Sequence, residues 1–367
     1  MRAVIKVVVT TTMAALAGVA GAVFTLTPAG AAPSTASLTA AAPKTASLTA
    51  AAPSTAGLTA AAPNAVSLTA AAPVMSSLIA YVRGGDVYVS SGPGEVRLTT
   101  SGGIARPRWS ADGRSIAFLK GGQLWTMRAD GSAQRRLTTR GASGASWSPD
   151  SRSIAFAALS CTGGPGVYRI SATARAGTAP EVLFPVSCRT AALPETAGIP
   201  AAAATGTLND RLRIDDAVAF SPDGAQVAFR GGDCEDVYDS CLTIGAVATG
   251  GEKTIAAYGG GSLQNSGFAV VPSWRPDGAK LAFTAYQQGE TAAQNEPVHV
   301  VEYDTATGAK RTIGGPLDRE LAYVDALRGV ATSQVNRGSW VVVVNLATGA
   351  KVPFHAGSQP SVQPVRH

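Results

Sequence analysis

The sequence predicts an all-β repeat fold, and three observations lead to this prediction. A pattern of an aromatic residue, a tight turn and a short apolar strand occurs four times, beginning at Trp109, Trp147, Phe220 and Trp274. Each turn combines Asp with Gly, Pro or Ser, which favour tight reversals of the chain. Each strand, such as Ile-Ala-Phe, is too short and too closely bounded by turns to be a helix. Because so small a unit cannot bury its own faces, several must stack, as in a β-propeller or another repeat array.

The four copies resemble the PD40 (WD40-like) repeat of the TolB-like six-bladed β-propellers. In that repeat an aromatic-Ser-Pro-Asp-Gly turn precedes an apolar-Ala-Phe strand, and the resemblance here covers residues 78–356. It implies a six-bladed propeller that acts as a protein-interaction module, as the propellers of this family chiefly do. Related propellers also form the non-catalytic domain of serine peptidases, so the repeat is specific for the fold and weak for the function.

Residues 1–31 have the pattern of an export signal. Arg2 and Lys6 precede an apolar run from Val7 to Leu26, and Ala29-Gly30-Ala31 fits a small-residue cleavage site. The run is also long enough to remain as an uncleaved membrane anchor, which is the alternative. Either way, we expect the rest of the chain to lie outside the cytoplasm, secreted or associated with the cell envelope.

Residues 32–73 repeat with a ten-residue period that places Pro at 33, 43, 53, 63 and 73. Regular proline breaks any helix that the alanines would favour, and isolated leucines cannot build a core. We therefore expect an extended or disordered linker, which is either a functional spacer or a low-complexity expansion. The propeller would then occupy residues 74–367.

The strand patterns in residues 74–367 predict six blades of four strands, numbered 1 to 4 from the central channel outwards. Leu78 to Thr100 supplies only three strands, so we expect residues 361–367, after a Gly-Ser-Gln-Pro turn, to supply the innermost strand of blade 1. A sixth blade lacks the aspartate turn but keeps Ala-Thr-Gly at 347–349, which matches 306–308. Seven blades are the alternative, with the extra blade in residues 189–210, although that segment has no strand pattern.

The length and composition allow one large domain or two small ones, and the repeats favour one; the mild charge predicts little attraction for nucleic acid. The chain has 46% hydrophobic and 15% charged residues and a formal net charge of +6, and no Lys/Arg cluster is interleaved with aromatic residues. We expect a monomer that binds no nucleic acid.

The sequence predicts no catalytic residues, no metal site and no cofactor. Gly-x-Ser-x-Gly and Cys-x-x-Cys are absent, and the histidines are scattered as His299 on a strand, His355 after a strand and His367 at the end. Asp112, Asp150, Asp223 and Asp277 could suggest paired glycosidase carboxylates, but each occupies the same turn of a different blade, so hydrogen bonding within the turn explains them better. The repeat tryptophans are expected to pack between blades.

Four cysteines in an exported chain predict two disulfides, with three possible pairings. Cys161 follows strand 2 of its blade and Cys188 follows strand 4, and both strands end on the same face. Cys234 and Cys241 share one loop between strands 2 and 3. The topology therefore favours the pairs 161–188 and 234–241, with a redox or metal role as the lesser alternative.

The loop that contains Cys234 and Cys241, residues 233–241, is acidic. Its oxygen donors could bind calcium, but they lack the spacing of a calcium loop, so a solvated loop closed by the disulfide is the better interpretation. The acidic residues are Asp233, Glu235, Asp236 and Asp239.

Loop lengths indicate a binding surface on one face of the propeller. The turns between strands 1 and 2 and between strands 3 and 4 share one face, here the turn face, and all of them are tight. The loops between strands 2 and 3 and the connections between blades share the opposite face, the loop face, which holds every long insertion. Long loops on a rigid scaffold commonly bind partners, although neutral insertion would give the same pattern. The candidate contact residues are Arg211, Asp236, Gln264, Asn265, Tyr286, Gln287 and Glu290.

The sequence therefore favours an exported propeller that binds a protein or peptide partner. The alternative is an extracytoplasmic hydrolase or lyase of carbohydrate or peptide that uses the propeller channel. A cell-envelope scaffold without a specific ligand is a third hypothesis. Clustered carboxylates or a histidine at the channel mouth would favour the enzyme.

Overall fold

In the computed structural model, the described residues form a ring of β-sheets around a central channel. They are residues 71–191, 216–232, 234, 239–259, 266–289 and 291–364. Within these ranges the chain makes six four-stranded antiparallel sheets. The predicted six-bladed propeller is confirmed. The signal segment, most of the linker and residues 192–215, which include most of the segment considered for a seventh blade, lie outside the described residues.

The blades follow one another along the chain. Blade 1 contains β1 (Ile79–Arg83), β2 (Asp86–Ser90) and β3 (Glu95–Arg97). Blade 2 contains β4 (Ile104–Trp109), β5 (Ser115–Lys120), β6 (Gln123–Arg128) and β7 (Arg135–Arg136). Blade 3 contains β8 (Ser143–Trp147), β9 (Ser153–Leu159), β10 (Pro165–Ser171) and β11 (Glu181–Phe184). Blade 4 contains β12 (Ala219–Phe220), β13 (Gln226–Arg230), β14 (Asp239–Ala246) and β15 (Glu252–Gly259).

The last two blades complete the ring. Blade 5 contains β16 (Ser266–Trp274), β17 (Lys280–Gln288), β18 (Glu296–Asp304) and β19 (Lys310–Ile313). Blade 6 contains β20 (Arg319–Tyr323), β21 (Arg328–Val335), β22 (Gly338–Asn345) and β23 (Lys351–Ala356). The final strand, β24 (Ser358–Val362), returns to blade 1. Short 3₁₀ turns cover Val186–Cys188 and Ala292–Gln294.

Strands from both ends of the propeller segment build blade 1, as predicted. The strand β24 pairs antiparallel with β1, with Ile79 opposite Val362 and Val82 opposite Ser358. The predicted boundary was wrong, because the strand begins at Ser358 rather than at Ser361. The segment expected to be a turn is extended and pairs with β1 through a β-bulge, which leaves only Gly357 to link β23 to β24.

The aspartates of the repeat organise the turns between strands 1 and 2. Asp112 Oδ1 accepts the backbone N–H of Arg114 at 3.1 Å and the hydroxyl of Ser110 at 2.6 Å. Asp150, Asp223 and Asp277 each accept the equivalent backbone N–H at 3.0 Å. The interpretation of these aspartates as turn residues is confirmed.

The tryptophans of the repeat join neighbouring blades, as expected. Trp147 Nε1 donates to the carbonyl oxygen of Arg108 in the previous blade at 3.0 Å, and Trp274 Nε1 donates to that of Ala219 at 3.1 Å. Hydrophobic clusters fill the spaces between sheets; one of them combines Leu119 and Leu124 of blade 2 with Phe156 of blade 3. Each sheet therefore buries both faces against its neighbours.

Candidate functional site

The antiparallel order of every sheet fixes the two faces of the propeller. Strand 1 of each blade runs from the loop face to the turn face, so strand 2 ends at the loop face again. The turns between strands 1 and 2 have the same length in blades 2 to 5, at residues 110–114, 148–152, 221–225 and 275–279. The turns between strands 3 and 4 are short in five blades, but residues 172–180 form a longer loop in blade 3, so the prediction that every turn on this face is tight was wrong there. The loop face varies more, from residues 121–122 within blade 2 to residues 185–218 between blades 3 and 4.

Two disulfides brace the loop face at blades 3 and 4, with the predicted pairing. Cys161 follows β9 and is bonded to Cys188 at the end of the 3₁₀ turn after β11, with their Cα atoms 5.6 Å apart. Cys234 is bonded to Cys241, with their Cα atoms 6.0 Å apart. Cys241 lies within β14 rather than in the loop, so the second disulfide ties the loop to a strand of the sheet.

Five of the seven predicted contact residues belong to segments that the structure does not describe. Arg211, Asp236, Gln264, Asn265 and Glu290 lie outside the described residues, as do the acidic Asp233 and Glu235.

Tyr286 and Gln287 are described, and they lie on β17 rather than in a loop. Gln287 pairs with Gly267 on one side and Glu296 on the other, so hydrogen bonding to both neighbouring strands extends β17 to the edge of the loop face. The ring of Tyr286 is partly exposed and stacks on Phe268, with centroids 5.1 Å apart. These residues are therefore held on a rigid strand end.

A polar network that the sequence did not reveal lines the channel. The guanidinium of Arg106 (β4) lies 3.3 Å from the carboxylate of Glu320 (β20), and both side chains are buried. Glu320 Oε2 also accepts the hydroxyl of Thr332 at 2.7 Å and the backbone N–H of Gln359 (β24) at 3.1 Å. Gln359 Oε1 in turn accepts the backbone N–H of Arg106 at 2.7 Å. We call these four residues the channel network.

Bulges in the innermost strands create this network. Arg106, Val271, Glu320 and Gln359 have positive φ angles between 54° and 59°, and the strand register shifts at each of them. Such bulges redirect side chains, here at equivalent positions around the channel. Three of these residues precede Pro, in Arg106-Pro107, Val271-Pro272 and Gln359-Pro360. Proline inside a strand pattern is the sequence signal that could have indicated the bulges.

The electrostatics of Glu320 make it a poor general acid. Burial alone would raise the pKa of its carboxyl group, but the positive charges of Arg106, Arg319 and Arg108 hold that pKa below its usual range. A carboxyl group that stays ionised and ion-paired cannot donate a proton near neutral pH. The ionised carboxylate links strands of different blades through its ion pair and hydrogen bonds.

A second cluster places a serine, a histidine and a glutamate together on the outer side of blade 1. His355 Nε2 lies 3.0 Å from Ser90 Oγ, and His355 Nδ1 lies 3.5 Å from Glu95 Oε2. His355 lies within β23, not after a strand as the sequence suggested. Its ring stacks on Tyr81, whose hydroxyl donates to Glu95.

The geometry of this cluster fits a structural clasp better than a nucleophile. Ser90 is 3% exposed, and its hydroxyl contacts the carbonyl oxygens of Gly92 and Gly94 at 2.7 and 2.6 Å. His355 Nε2 lies 2.9 Å from the same Gly92 oxygen. The serine hydroxyl is thus engaged in its own turn and is closed to a substrate. The contacts instead tie the outer strand of blade 6 to blade 1.

Two further searches covered the described residues only. They contain no group of three or more His, Cys, Asp or Glu side chains arranged to hold a metal ion. In the same ranges no helix has both the length and the apolar character needed to cross a membrane.

Comparison with known proteins shows similarity in structure only. No protein-family model and no curated protein sequence matches the chain. TolB from Acinetobacter baumannii superposes with a TM-score of 0.57 at 17% identity, over 81% of this chain and 69% of that one. A putative TolB from Agrobacterium tumefaciens superposes with a TM-score of 0.50 at 15% identity, over 78% of this chain and 92% of that one. A chain of the nidogen/laminin complex superposes with a TM-score of 0.53 at 8% identity, over 78% of this chain and 98% of that one. The chain thus has a TolB-like six-bladed propeller fold.

Proposed function

We propose that this TolB-like propeller is an exported module that binds a protein or peptide partner through its loop face, either secreted or at the cell envelope. The observation that carries the proposal is the contrast between the faces. The turn face repeats the same aspartate turn in blades 2 to 5 and has one longer loop, residues 172–180, whereas the loop face carries the other long insertions and both disulfides. A disulfide that holds a loop in place lowers the conformational entropy lost when a partner binds.

Export is supported by the cysteines and by the N-terminal pattern. Disulfides persist in oxidising compartments and are rare in the cytosol. All four cysteines of the chain are paired. Residues 1–31, which have the composition of an export signal, are the part of the chain that would direct it there.

Tyr286 is the best-placed contact residue among those described. Tyr286 lies near the end of a strand that is hydrogen-bonded on both sides, and its partly exposed ring stacks on Phe268. Little side-chain freedom therefore remains to be lost on binding. Tyrosine combines a large apolar surface with a polar hydroxyl, which is why it is frequent at protein interfaces. The nidogen/laminin neighbour is itself part of a protein complex, which is consistent with this use of the fold.

The proposal can be tested by capture on the immobilised chain. Secreted and envelope fractions of the producing organism are passed over the unmodified protein and over Tyr286→Ala, Arg211→Ala, Asp112→Asn and Asp277→Asn. We expect a saturable partner whose binding weakens with the first two substitutions and persists with the two turn-face substitutions. The reverse pattern would place the site on the turn face and refute the proposal.

A further inference from the structure

Arg108 lies on the innermost strand of blade 2, and one nitrogen atom of its guanidinium, Nη1, contacts the described residues. Its Nη1 donates to the carbonyl oxygen of Pro107 at 2.8 Å and lies 3.5 Å from that of Pro360 on β24. These contacts place the guanidinium beside β24. Nε and Nη2 make no hydrogen bond to a described residue, and the side chain is partly exposed, so one edge of the guanidinium is available to a ligand.

The charge of Arg108 also has no counter-charge among the residues that the structure describes. Among the described residues, no carboxylate lies within ion-pair distance of its guanidinium, whereas the nearby Arg106 is paired with Glu320. Burial and the positive charge of Arg106 lower the pKa of Arg108 to about 10, with Glu320 opposing the change. An arginine held in this way costs stability unless an anion joins it.

Arg319 adds to the positive character of the same region. It begins β20, next to Glu320, and no described residue accepts a hydrogen bond from its buried Nε. The charges of Arg106, Arg108 and Arg319 all act on the single carboxylate of Glu320. Among the described groups that interact here, cations therefore outnumber anions.

The location is the channel itself rather than a space between two neighbouring blades. Arg106 of blade 2 reaches Glu320 of blade 6 although blade 1 separates their sheets, and this contact can form only on the channel side of β24. Arg108 is two residues further along the same strand and contacts β24 directly. A ligand group in the channel can therefore meet its open edge.

We propose that the channel contains a carboxylate-binding site whose principal donor is the open Nε/Nη2 edge of Arg108. A guanidinium edge presents two parallel N–H donors that match the two oxygens of a carboxylate. The ligand class is a carboxylate, from a small organic acid or from a peptide side chain or C-terminus. Only the peptide source rests on the proposed function, since binding of a free acid requires no partner.

The test uses the purified chain with defined probes at constant ionic strength. Binding of acetate, of an acetylated Gly-Asp-Gly amide and of inorganic phosphate is followed by calorimetry and by the ¹⁵Nε signals of arginine. The unmodified protein is compared with Arg108→Gln and with Arg114→Gln, which removes an exposed arginine from the neighbouring turn. Arg108→Lys keeps the charge but lacks the edge with two donors, and it replaces Arg108→Gln in the comparison if that variant does not fold.

We expect saturable binding of acetate and the acidic peptide, with one arginine ¹⁵Nε signal shifting. Loss of a charge-assisted, two-point contact should weaken binding at least about tenfold in Arg108→Gln and Arg108→Lys, and leave it unchanged in Arg114→Gln. Binding of acetate alone would identify small acids as the ligand. Absence of saturation, equal binding by Arg108→Gln, or tighter binding of phosphate than of either carboxylate would overturn the proposal. Partner capture through Tyr286 is measured separately, so either hypothesis can fail alone.

Discussion

Arg106 of blade 2 and Glu320 of blade 6 lie 3.3 Å apart, guanidinium to carboxylate, across the innermost strand of blade 1. Gln359 of that strand bonds to both of them, through its side-chain oxygen to the backbone of Arg106 and through its backbone N–H to Glu320. The strand that closes the ring is therefore held by its own sheet and by both flanking blades. Closing the ring also removes the open sheet edge that an incomplete blade 1 would expose.

Ring closure predicts a large effect of C-terminal truncation. Deleting residues 358–367 removes β24, exposes the edge of β1 and breaks the channel network, so we expect the melting temperature to fall by more than about 5 °C. The matched control deletes residues 365–367 only and leaves β24 intact. If both truncated proteins melted like the full chain, β24 would not be needed to close the ring.

The buried ion pair predicts a large cost for neutralising Glu320. In Glu320→Gln, the buried guanidinium of Arg106 loses the charge of the Glu320 carboxylate, and we expect a loss of about 3 kcal/mol or more in the free energy of unfolding. Glu181→Gln is the control, because Glu181 pairs with Arg169 on the exposed surface, where such pairs contribute about 0–1 kcal/mol. Urea titration measures both.

The loss of stability in Glu320→Gln should become smaller as the pH falls. The folded pKa of Glu320 is depressed, so its contribution is fully present above the unfolded value of about 4.3 and is lost as pH falls toward the folded value. The difference between the unmodified protein and Glu320→Gln should therefore shrink from pH 7 to pH 3. A difference that stayed constant, or grew on acidification, would contradict the assigned charge state.

Close packing between blades 3 and 4 predicts an effect at Gly245. A Cβ atom added there would overlap the ring of Phe184, which stacks on Phe229 with centroids 4.9 Å apart. We expect Gly245→Ala to cost about 1–3 kcal/mol in thermal or urea unfolding. Gly94→Ala is the control, since no atom lies within 4 Å of the added Cβ. Equal stability of the two variants would mean that the blades are packed more loosely than the structure shows.

The sequence predicted the repeat and its closure well because both depend on local patterns. The turn at Asp112 and the strand after it are determined by residues close in the chain, and the missing strand of blade 1 follows from counting strands. Two contacts join residues more than 200 positions apart: the ion pair between Arg106 and Glu320, and the cluster in which His355 meets Ser90 and Glu95. No local sequence pattern indicates that such residues meet. The position of Tyr286 was mistaken because strand ends depend on pairing with neighbours rather than on local composition.

The disulfides predict that reduction loosens the loop face. Peptide mapping without reduction should recover the pairs 161–188 and 234–241. The double variant Cys161→Ser/Cys188→Ser should lose about 2–4 kcal/mol, because a loop in the unfolded chain is no longer closed. Recovery of crossed pairs would contradict the blade assignment of these cysteines.

The loop face is the central claim, and hydrogen exchange of the partner complex tests it most directly. Amide exchange is measured by mass spectrometry on the chain alone and with its captured partner at saturating concentration. We predict slower exchange in the peptides that contain Cys161, Cys241 and Tyr286, and no change in the aspartate turns at 110–114 and 275–279. Protection confined to those turns, with unchanged exchange around Tyr286, would contradict the proposal that the partner binds the loop face.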